Sequence, residues 1–531
     1  MWTRTYLALL VVRLYLALQP SYIHPDENFQ GPEVIAGNTF AFPHHLTWEF
    51  TTNKPVRSLF SLWPVYGLPM LVLHWMWSEI GTNEVPPQVV YYTLRALMFI
   101  LSFVLEDWAI HELVQSPRHR RLAVTLVASS YVTWTYQTHT FSNSIETLLV
   151  AWSLVMVQRI LDNKQRSSLL SSAILGCLLT FGIFNRVTFP AYLLVPTLHL
   201  LPHFLRRSFS LIVFSTAILL TTSLAIVVDT SFYHPDNTLL NTLLTNPTFT
   251  PLNSFLYNTQ TSNLTTHGLH PHYQHLVVSL PLLLGPALYL LFSTPINNVP
   301  RLPVLSAISG TLLLSGIPHQ EPRFLLPAVP LLLSSIRLPR SKSLTNYWLV
   351  AWIGFNALFG ALMGTYHQGG VVPAQIWLGQ QSKLGASMVE ILWWRTYSPP
   401  IWLLDHSTIR TTDLMGTSFV SVQMQVETAL GSECDANKSV GFVAPYSSRE
   451  MDDWIVKSAE KEAFAFEEIW RYGQHVNLDD LDIEGEGIWG TLGRVVGRRG
   501  LVIWKVRKVC GVGTGAGTTG GGLKGIMYRD W

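Results

Sequence analysis

Two adjacent carboxylates follow the first apolar stretch of the chain, in the run Tyr-Ile-His-Pro-Asp-Glu-Asn that begins at Tyr22. Asp26 and Glu27 repel each other, and a position at the edge of a membrane removes part of their water; both effects raise carboxylate pKa values. One of the two can then accept a proton, which suits general base catalysis. The alternative is that both residues cap a helix that begins near Asn28.

Arg323 lies in a second polar run, His-Gln-Glu-Pro-Arg-Phe, which starts at His319. A guanidinium holds a phosphate with two hydrogen bonds, and the start of a helix adds a dipole that favours an anion. Glu321 can orient the guanidinium. The alternative is a structural Arg–Glu ion pair that binds no ligand.

A third polar region runs from Asp229, through Tyr233, to a cluster of four histidines at positions 267, 270, 272 and 275. Zinc is a poor fit for the cluster, because no cysteine accompanies it and Gly and Pro break any helical spacing of the imidazoles. Recognition of a sugar or a lipid phosphate by amide, hydroxyl and aromatic groups fits better.

Two smaller polar sets stand at the ends of apolar segments. They are the run Phe-Ser-Asn-Ser-Ile-Glu, which ends at Glu146, and the pair Asn185 and Arg186. Helix capping explains such groups as well as a functional role does.

The composition places these residues in a membrane protein. Of 531 residues, 48% are hydrophobic and 13% are charged, against about 25% charged in an ordinary soluble protein. The net charge of +2 gives no electrostatic case for a nucleic-acid partner. The three cysteines have no metal-ligand spacing, although Cys434 and Cys510 could form a disulfide. We expect no metal and no cofactor.

Apolar segments long enough, or nearly long enough, to cross a bilayer recur along the first two thirds of the chain. Several are short or contain proline, so their backbone polar groups need neighbouring helices. We therefore predict an all-α polytopic membrane protein, a compact bundle of about 11–12 transmembrane or membrane-embedded helices with an internal cleft. The predicted segments are 5–19, 58–78, 88–106, 122–138, 145–160, 169–184, 187–201, 209–228, 276–293, 303–317, 324–336 and 347–364.

The distribution of Lys and Arg predicts the orientation, because these residues are retained on the cytoplasmic side. They concentrate in alternate loops, whereas residues 229–275 contain none. The polar runs described above therefore face the lumen, together with the glycosylation sequons at Asn263 and Asn437. This assignment of loops to the two sides is consistent only if one early apolar segment does not cross the membrane. The Trp-rich segment 58–78 is the candidate, because its composition suits an interfacial helix.

The last part of the chain differs in kind. Charged residues become frequent from about residue 366, and a helical stretch at 447–472 precedes a strand-like stretch at 500–506. These features predict a small mixed α/β domain on the lumenal side. The predicted organisation is a membrane domain at 1–365, this domain at 366–510 and a Gly-rich flexible tail at 511–531, which lacks the context of a phosphate-binding loop.

Several separated motifs carry a family resemblance over about residues 10–400. In order they are "HPDE", "FSNSIE", "FNR", "DTSFY", "NSFLYNTQTSNLTTHGLHP", "HQEPRFLLP" and "YHQGG". Together they resemble the family 22 glycosyltransferases of the GT-C fold, which use dolichyl-phosphate-mannose. The forms "YIHPDE" and "SNLTTHGLHP" resemble the branch that adds the fourth mannose to a GPI-anchor precursor.

The resemblance implies a reaction and roles for the residues. The reaction is a single inverting displacement that forms an α-1,2 link to the third mannose of the GPI precursor, in the endoplasmic reticulum membrane. Asp26 would be the base, with Glu27 as the fallback. The residues expected to bind the donor phosphate or sugar are Arg186, His270, His319, Glu321 and Arg323, and those expected to contact the acceptor or to shape the loops are His24, Asp229, Tyr233, His267 and His272.

Other functions stay open at this point. Within the family, the acceptor could be the dimannosyl GPI precursor or a dolichol-linked oligosaccharide. From a different class, a lipid transporter or a non-catalytic assembly subunit is also polytopic, but no internal repeat of the kind common in transporters is evident.

Overall fold

A computed structural model describes residues 2–510 of the chain, except 82–83, 164, 166, 236–237, 267, 294–300, 384–387, 389, 432–437, 461–462 and 482. The sequon at Asn437, the histidine at 267 and the predicted tail at 511–531 therefore lie outside the described residues.

Long apolar helices form the membrane part of the fold. Within the described residues, four helices are long and apolar enough to cross a bilayer by themselves: Pro87–Leu113, Ser142–Asp162, Ser208–Tyr233 and Lys342–Tyr366. A bent pair, His275–Leu284 and Ala287–Ser293, turns through 114° where Gly285 adopts a positive φ of 50° and Pro286 follows it. Three shorter apolar helices complete the set: Leu169–Asn185, Phe189–Leu198 and Arg301–Ser315.

Shorter helices connect and cover these segments. The remaining α-helices are Trp2–Ala17, Asp26–Phe29, Pro32–Phe40, Trp48–Thr51, Leu68–Glu79, Pro117–Ala128, Tyr131–Trp134, Leu201–Arg206, Leu239–Thr245, Thr250–Thr259, Thr261–Thr265, Ala328–Leu333, Val371–Lys383, Phe419–Leu430, Arg449–Glu460 and Ile483–Gly497. π-Helical turns occur at Trp63–Gly67, Ser102–Asp107, His275–Ser279 and Leu362–Tyr366, and 3₁₀ turns at Tyr136–Thr138, Pro322–Leu325, Ile401–Leu404 and Leu478–Asp480.

Close helix packing builds the core of the bundle. Helix Leu169–Asn185 packs along Ser208–Tyr233, and Phe189–Leu198 packs along Arg301–Ser315. A side chain at Gly176 would place its Cβ 2.7 Å from the carbonyl oxygen of Phe214. A small residue at this position therefore lets the two backbones approach, as is common between helices in membranes.

Three predicted apolar segments are interrupted. The segment at 122–138 ends its first helix at Ala128, because Ser130 caps a new short helix by accepting a hydrogen bond from the Val132 amide at 3.3 Å. The segment at 324–336 is divided by Pro327 into a 3₁₀ turn and a short helix, since proline removes a backbone donor. The bend at Gly285 interrupts 276–293. The structure thus gives the places of the breaks in these three apolar segments.

The segment predicted at 58–78 is helical from Trp63 to Glu79, with a π-helical first turn. It packs against helix Pro32–Phe40 and leaves an apolar face exposed that includes Leu68, Leu71 and Trp75. Its interfacial placement stays a prediction.

A five-stranded mixed sheet follows the last long helix. Its strands are β1 (Glu390–Trp393), β2 (Arg410–Asp413), β3 (Val440–Pro445), β4 (Phe464–Tyr472) and β5 (Leu501–Lys508), in the order β2-β1-β3-β5-β4. β1 pairs in parallel with β2 and β3, whereas β5 is antiparallel to both β3 and β4. The predicted small α/β unit is therefore present.

The helical prediction at 447–472 was half right. Residues Arg449–Glu460 form a helix, but Phe464–Tyr472 forms strand β4 with a bulge between Glu468 and Trp470. Aromatic residues recur along β4, which favours a strand, and pairing with β5 decides the outcome. The strand predicted at 500–506 is confirmed as β5.

The sheet packs against the loop that carries the first motif. The Tyr22 amide donates a hydrogen bond to the carbonyl of His367 at 3.1 Å, and its hydroxyl donates to the carbonyl of Ser398 at 3.0 Å. Tyr22 is fully buried in one apolar cluster with Val371 of the following helix and Ile503 of β5. The sheet and the first loop therefore lie on the same side of the membrane helices.

Candidate active site

Asp26 begins a single helical turn, Asp26–Phe29, directly after Pro25. Its carboxylate does not cap that turn. Asp26 Oδ2 accepts a hydrogen bond from Gln30 Nε2 at 2.5 Å and forms an ion pair with Arg323 Nη1. His24 Nδ1 lies 3.4 Å from Asp26 Oδ1. The side chain therefore belongs to a polar network and not to the local helix.

Arg323 joins the first and second polar runs of the sequence. It lies in the 3₁₀ turn Pro322–Leu325 and binds two carboxylates, Asp26 through Nη1 and Glu321 through Nε. Its Nη1 also lies 3.2 Å from His24 Nδ1. His319 Nε2 lies 3.0 Å from Glu321 Oε1. Both predicted runs thus meet at one guanidinium.

The charges of this network fix its protonation. Burial by itself would raise the pKa of Asp26, but Arg323, with His24 and Arg57, outweighs burial and holds that pKa well below its usual range. The pKa of Glu321 is likewise lowered, because Arg323 and His319 outweigh burial. The hydrogen bond to Glu321 raises the pKa of His319. The expectation of a raised pKa was therefore wrong for Asp26, whose partner is a cation.

These side chains line a cavity of about 640 Å³. Its polar wall comes from four separate parts of the chain, and its apolar wall from the ends of helices Leu169–Asn185 and Arg301–Ser315. Lining residues with polar or aromatic side chains include His24, Asp26, Gln30, Trp48, Glu49, Arg57, Arg186, Thr188, Tyr257, Asn258, His319, Glu321, Arg323 and Phe324.

Arg186 forms a second cationic wall. Its Nε lies 3.3 Å from Glu146 Oε2, and its Nη1 donates to Ser142 Oγ at 2.8 Å. The ring of Phe324 lies 5.4 Å from the Arg186 guanidinium and 5.8 Å from that of Arg323. Burial lowers the pKa of Arg186 to about 10 despite Glu146, so it stays charged at neutral pH. The two smaller polar sets of the sequence thus belong to the site.

Gln30 connects the parts of this network. Its Nε2 donates to Asp26 Oδ2 at 2.5 Å and to Glu49 Oε1 at 3.4 Å. Its Oε1 accepts from Ser142 Oγ at 3.2 Å, the same hydroxyl that Arg186 binds. The side-chain amide therefore fixes Asp26 relative to both Glu49 and the Arg186 wall.

Glu27 lies apart from the cavity. Its side chain is 2% exposed, and its Oε2 lies 2.5 Å from His139 Nδ1. Burial raises the pKa of Glu27 to about 8 and lowers that of His139 well below its usual value. The Glu27–His139 pair thus carries no net charge at neutral pH, and the fallback role of Glu27 receives no support from its position.

The described histidines of the third polar region contact neighbouring backbone and side-chain groups. His270 Nδ1 accepts a hydrogen bond from the Gln320 amide at 3.3 Å, and its ring lies 6.0 Å from that of His319. His272 Nδ1 lies 2.9 Å from the carbonyl of Ser315. Neither lines the cavity, so both support the His319 segment from behind. Among the described residues, no group of three or more His, Cys, Asp or Glu side chains is placed to hold a metal.

Asp229 and Tyr233 hold one wall in place instead of lining it. Asp229 Oδ1 accepts from the amides of Leu59 and Phe60 at 2.8 and 3.2 Å, and Oδ2 accepts from Thr250 Oγ1 at 2.8 Å. The Tyr233 hydroxyl donates to the carbonyl of Arg57 at 2.6 Å. Both fasten the chain around Arg57 to the long helix Ser208–Tyr233.

Five lining residues were not named as site candidates from the sequence: Gln30, Trp48, Glu49, Arg57 and Tyr257. Gln30 follows Asp26 by one helical turn, a spacing that places two side chains together and could have identified it. Tyr257 lies within one of the family motifs, whereas Trp48, Glu49 and Arg57 carry no local signal, because helices Trp48–Thr51 and Thr250–Thr259 meet only in the folded chain.

Comparison with known proteins gives a consistent result. A model of the Alg9-like mannosyltransferase family matches residues 4–406. Relatives named GPI mannosyltransferase 4 are 50% identical in Aspergillus oryzae, covering 96% of this chain and 99% of that protein, and 47% identical in Emericella nidulans, covering 96% and 98%. The relative of that name in Saccharomyces cerevisiae is 37% identical and covers 76% of this chain and 77% of that protein.

The fold also resembles a solved structure. The crystal structure of ArnT from Cupriavidus metallidurans bound to undecaprenyl phosphate superposes with a TM-score of 0.50 at 11% identity, covering 94% of this chain and 98% of that one. ArnT is a GT-C neighbour, so the predicted GT-C architecture is confirmed, and at this identity the likeness concerns the fold alone.

Proposed function

Because the chain belongs to the Alg9-like mannosyltransferase family, we propose that it transfers mannose from dolichyl-phosphate-mannose to the third mannose of a GPI-anchor precursor. The new bond is an α-1,2 link, which makes the added sugar the fourth mannose. We place the reaction at the lumenal face of the endoplasmic reticulum membrane, where the lipid chains of donor and acceptor stay in the bilayer.

One observation carries the mechanistic part of the proposal. Asp26 and Arg323, 297 residues apart in sequence, form an ion pair and line the same cavity. The proposed base and the proposed phosphate-binding cation can thus reach the same bound donor, which supports a role for both in one reaction.

In the proposed step the acceptor hydroxyl oxygen attacks the anomeric carbon, and the bond from that carbon to the phosphate oxygen breaks. Asp26 takes the hydroxyl proton, and dolichyl phosphate leaves with the bond electrons. One displacement inverts the β-linked donor to an α-mannoside, so no covalent enzyme intermediate is needed. Base assistance of this kind contributes about 10² to 10⁴ in rate.

Arg323 has two roles in this scheme. Without a donor it binds Asp26 and lowers the pKa of that carboxyl. When a donor phosphate binds the guanidinium, part of the positive charge is shared with the phosphate, so the pKa of Asp26 rises and the carboxylate becomes a stronger base. Donor binding would therefore activate the base.

Arg186 and His319 complete the anion site. Arg186 forms the second cationic wall, and the pKa of His319 is raised by Glu321, so it gains positive charge more readily. Preorganised cations that face the leaving oxygen stabilise charge as it develops. We expect the transfer to need no divalent metal, because a guanidinium can neutralise a leaving phosphate by itself.

The test is a membrane assay with labelled dolichyl-phosphate-mannose. Trimannosyl GPI, dimannosyl GPI and a dolichol-linked oligosaccharide are offered in parallel, with wild type and Asp26→Asn. We expect product only from the trimannosyl acceptor and only with wild type. Product from either other acceptor alone would assign a different family activity, and the absence of any product would favour a non-catalytic membrane protein.

A further inference from the structure

An aromatic surface borders the cavity on the side of the first loop. The rings of Trp48 and Tyr257 stack with their centroids 4.6 Å apart and their planes at 30°. Although Trp48 packs on Tyr257, it is still 39% exposed. More than a third of the surface of this residue is thus accessible beside the cavity, and an exposed aromatic side chain is a surface on which an apolar group can pack.

A charge-balanced pair stands beside these rings. Arg57 Nε and Nη2 both lie 3.0 Å from Glu49 Oε1. Within the described residues, Glu49 Oε2 and Arg57 Nη1 make no hydrogen bond, and neither atom is buried. The pair therefore offers one free acceptor and free donors to a ligand while it carries no net charge.

This surface reaches the proposed base through a single side chain. Gln30 Nε2 donates to both Asp26 Oδ2 and Glu49 Oε1. A ligand group that contacts Glu49 therefore lies close to Asp26. Gln30 is connected to the Arg186 wall through its other amide atom, which accepts from Ser142.

We propose that Trp48, Tyr257, Glu49 and Arg57 form the subsite for the terminal sugar of the acceptor glycan. This inference rests on the proposed function and adds the place where the acceptor binds. The C–H groups of a sugar pack on the electron-rich face of the indole. Neighbouring hydroxyls of the sugar then bind the free atoms of Glu49 and Arg57.

Charge separates this subsite from that of the donor. A leaving phosphate is bound by a group of cationic side chains, and Arg186, Arg323 and His319 bring three of them together, whereas Arg57 is the one cationic side chain among the four residues of the proposed subsite and is paired with Glu49. The Glu49–Arg57 pair instead suits an uncharged, hydroxyl-rich ligand. The acceptor and the donor phosphate would thus occupy different parts of the cavity, and an in-line displacement needs the attacking hydroxyl and the leaving phosphate on opposite sides of the anomeric carbon.

Two loops that are far apart in sequence build the subsite. Trp48 starts the helix Trp48–Thr51, whereas Tyr257 lies in the helix Thr250–Thr259. Asp229 fastens both loops, because one oxygen binds the amides of Leu59 and Phe60 and the other binds the Thr250 hydroxyl. The subsite therefore has a fixed shape before any ligand binds.

The test compares Michaelis constants for the two substrates in the full-length protein. Trp48→Ala should raise the KM for the acceptor by about tenfold and leave the KM for dolichyl-phosphate-mannose unchanged, since an aromatic contact of this kind contributes on that order. Trp48→Phe should restore most of the affinity. Trp489→Ala is the matched control, because Trp489 is 85% exposed and lies far along the chain in the helix Ile483–Gly497.

Two results would overturn the subsite: an unchanged acceptor KM in Trp48→Ala, or an equal rise in both Michaelis constants. Failure of the proposed function looks different, because wild type itself would then add no mannose to trimannosyl GPI. In that event the same comparison of variants is made with whichever acceptor wild type uses, so the subsite is still tested.

Discussion

Asp26 and Glu27 are neighbours in sequence, yet their carboxyl groups occupy opposite environments. Asp26 faces the cavity beside Arg323, and Glu27 faces the interior beside His139. The reason is geometric, since consecutive side chains of a helical turn point about 100° apart. The two acids therefore receive different roles from one short motif.

The first residue-scale prediction concerns the proposed base. Asp26→Asn should keep the fold, because Asn has nearly the same size and Arg323 keeps its bond to Glu321. It should lower kcat at least about a hundredfold, because the amide cannot accept the proton. The measurement is transfer of labelled mannose at saturating donor and acceptor.

The control for this experiment is Asp453→Asn, which changes an exposed carboxylate on the helix Arg449–Glu460. It should behave as wild type. Near-normal turnover in Asp26→Asn would remove Asp26 from the chemistry.

The second residue-scale prediction concerns the pH dependence of stability. Glu27 has an ordinary pKa of 4.5 when unfolded and about 8 when folded. Its folded state therefore holds a proton that the unfolded state releases, and the free energy of unfolding falls as the pH rises from about 4.5 to about 8. The slope for one such group is at most roughly 1.4 kcal/mol per pH unit.

Buried histidines with lowered pKa values make the free energy of unfolding rise with pH, but they do so at lower pH. Burial lowers the pKa of His367 to about 4 and that of His475 to about 3, so their effect is complete above about pH 6.5. The melting temperature of wild type should thus fall between pH 6.5 and 8. Glu27→Gln should flatten that decline, and Glu427→Gln, at an exposed position, should not. An unchanged slope in Glu27→Gln would show that the carboxyl is ionised in the folded protein.

At the scale of elements, a close contact sets the position of the first motif. Gly31 links Asp26–Phe29 to Pro32–Phe40, and a Cβ there would lie 2.6 Å from Tyr66 Cε2. Tyr66 cannot easily move, because it is buried and its hydroxyl donates to the carbonyl of Thr140 at 2.9 Å. The turn that carries Asp26 thus packs directly on helix Trp63–Glu79.

The prediction at this scale follows from that contact. Gly31→Ala should lower stability by about 1–3 kcal/mol, as overpacking usually does, and should also lower activity by displacing Asp26 and Gln30. Thermal unfolding and mannose transfer measure the two effects. Gly354→Ala is the matched control, since a Cβ there would meet no heavy atom within 4 Å. Full activity of Gly31→Ala would mean that the turn adjusts without cost.

At the scale of the whole molecule, the C-terminal sheet and the loop that carries Asp26 share one side of the bundle. The hydrogen bonds from Tyr22 to His367 and Ser398 establish this, and His367 also forms an isolated bridge with Val476. A lumenal active site therefore requires a lumenal sheet.

This arrangement predicts the outcome of protease protection. A tag placed after residue 531 should resist protease in sealed microsomes and be digested once detergent opens them. A tag on a known cytoplasmic-tail protein in the same vesicles serves as the control for access. Digestion of the C-terminal tag in sealed vesicles would place the sheet, and with it the catalytic loop, on the cytoplasmic side.

The sequence by itself determined that the chain is a helical membrane protein, to which family it belongs, and most of the charged groups of the candidate site. The backbone polar groups of an apolar segment must form hydrogen bonds within the protein when the segment lies in lipid, so the presence of many such segments predicts a helical bundle. The motifs with Asp26, Arg186 and Arg323 each stand next to an apolar segment. Such neighbouring positions along the chain can be recognised from the sequence alone. The strand at β5 was likewise evident, because its apolar residues form a continuous run.

Tertiary structure decided what the side chains do. It paired Asp26 with a cation and Glu27 with His139, and the pKa values of the two acids moved apart as a result. It turned residues Phe464–Tyr472 into a strand by supplying β5 as a partner, and it placed the breaks in three predicted apolar segments. It also brought Trp48 to Tyr257 across some two hundred residues. Contacts between distant segments depend on how helices pack, which local spacing does not encode.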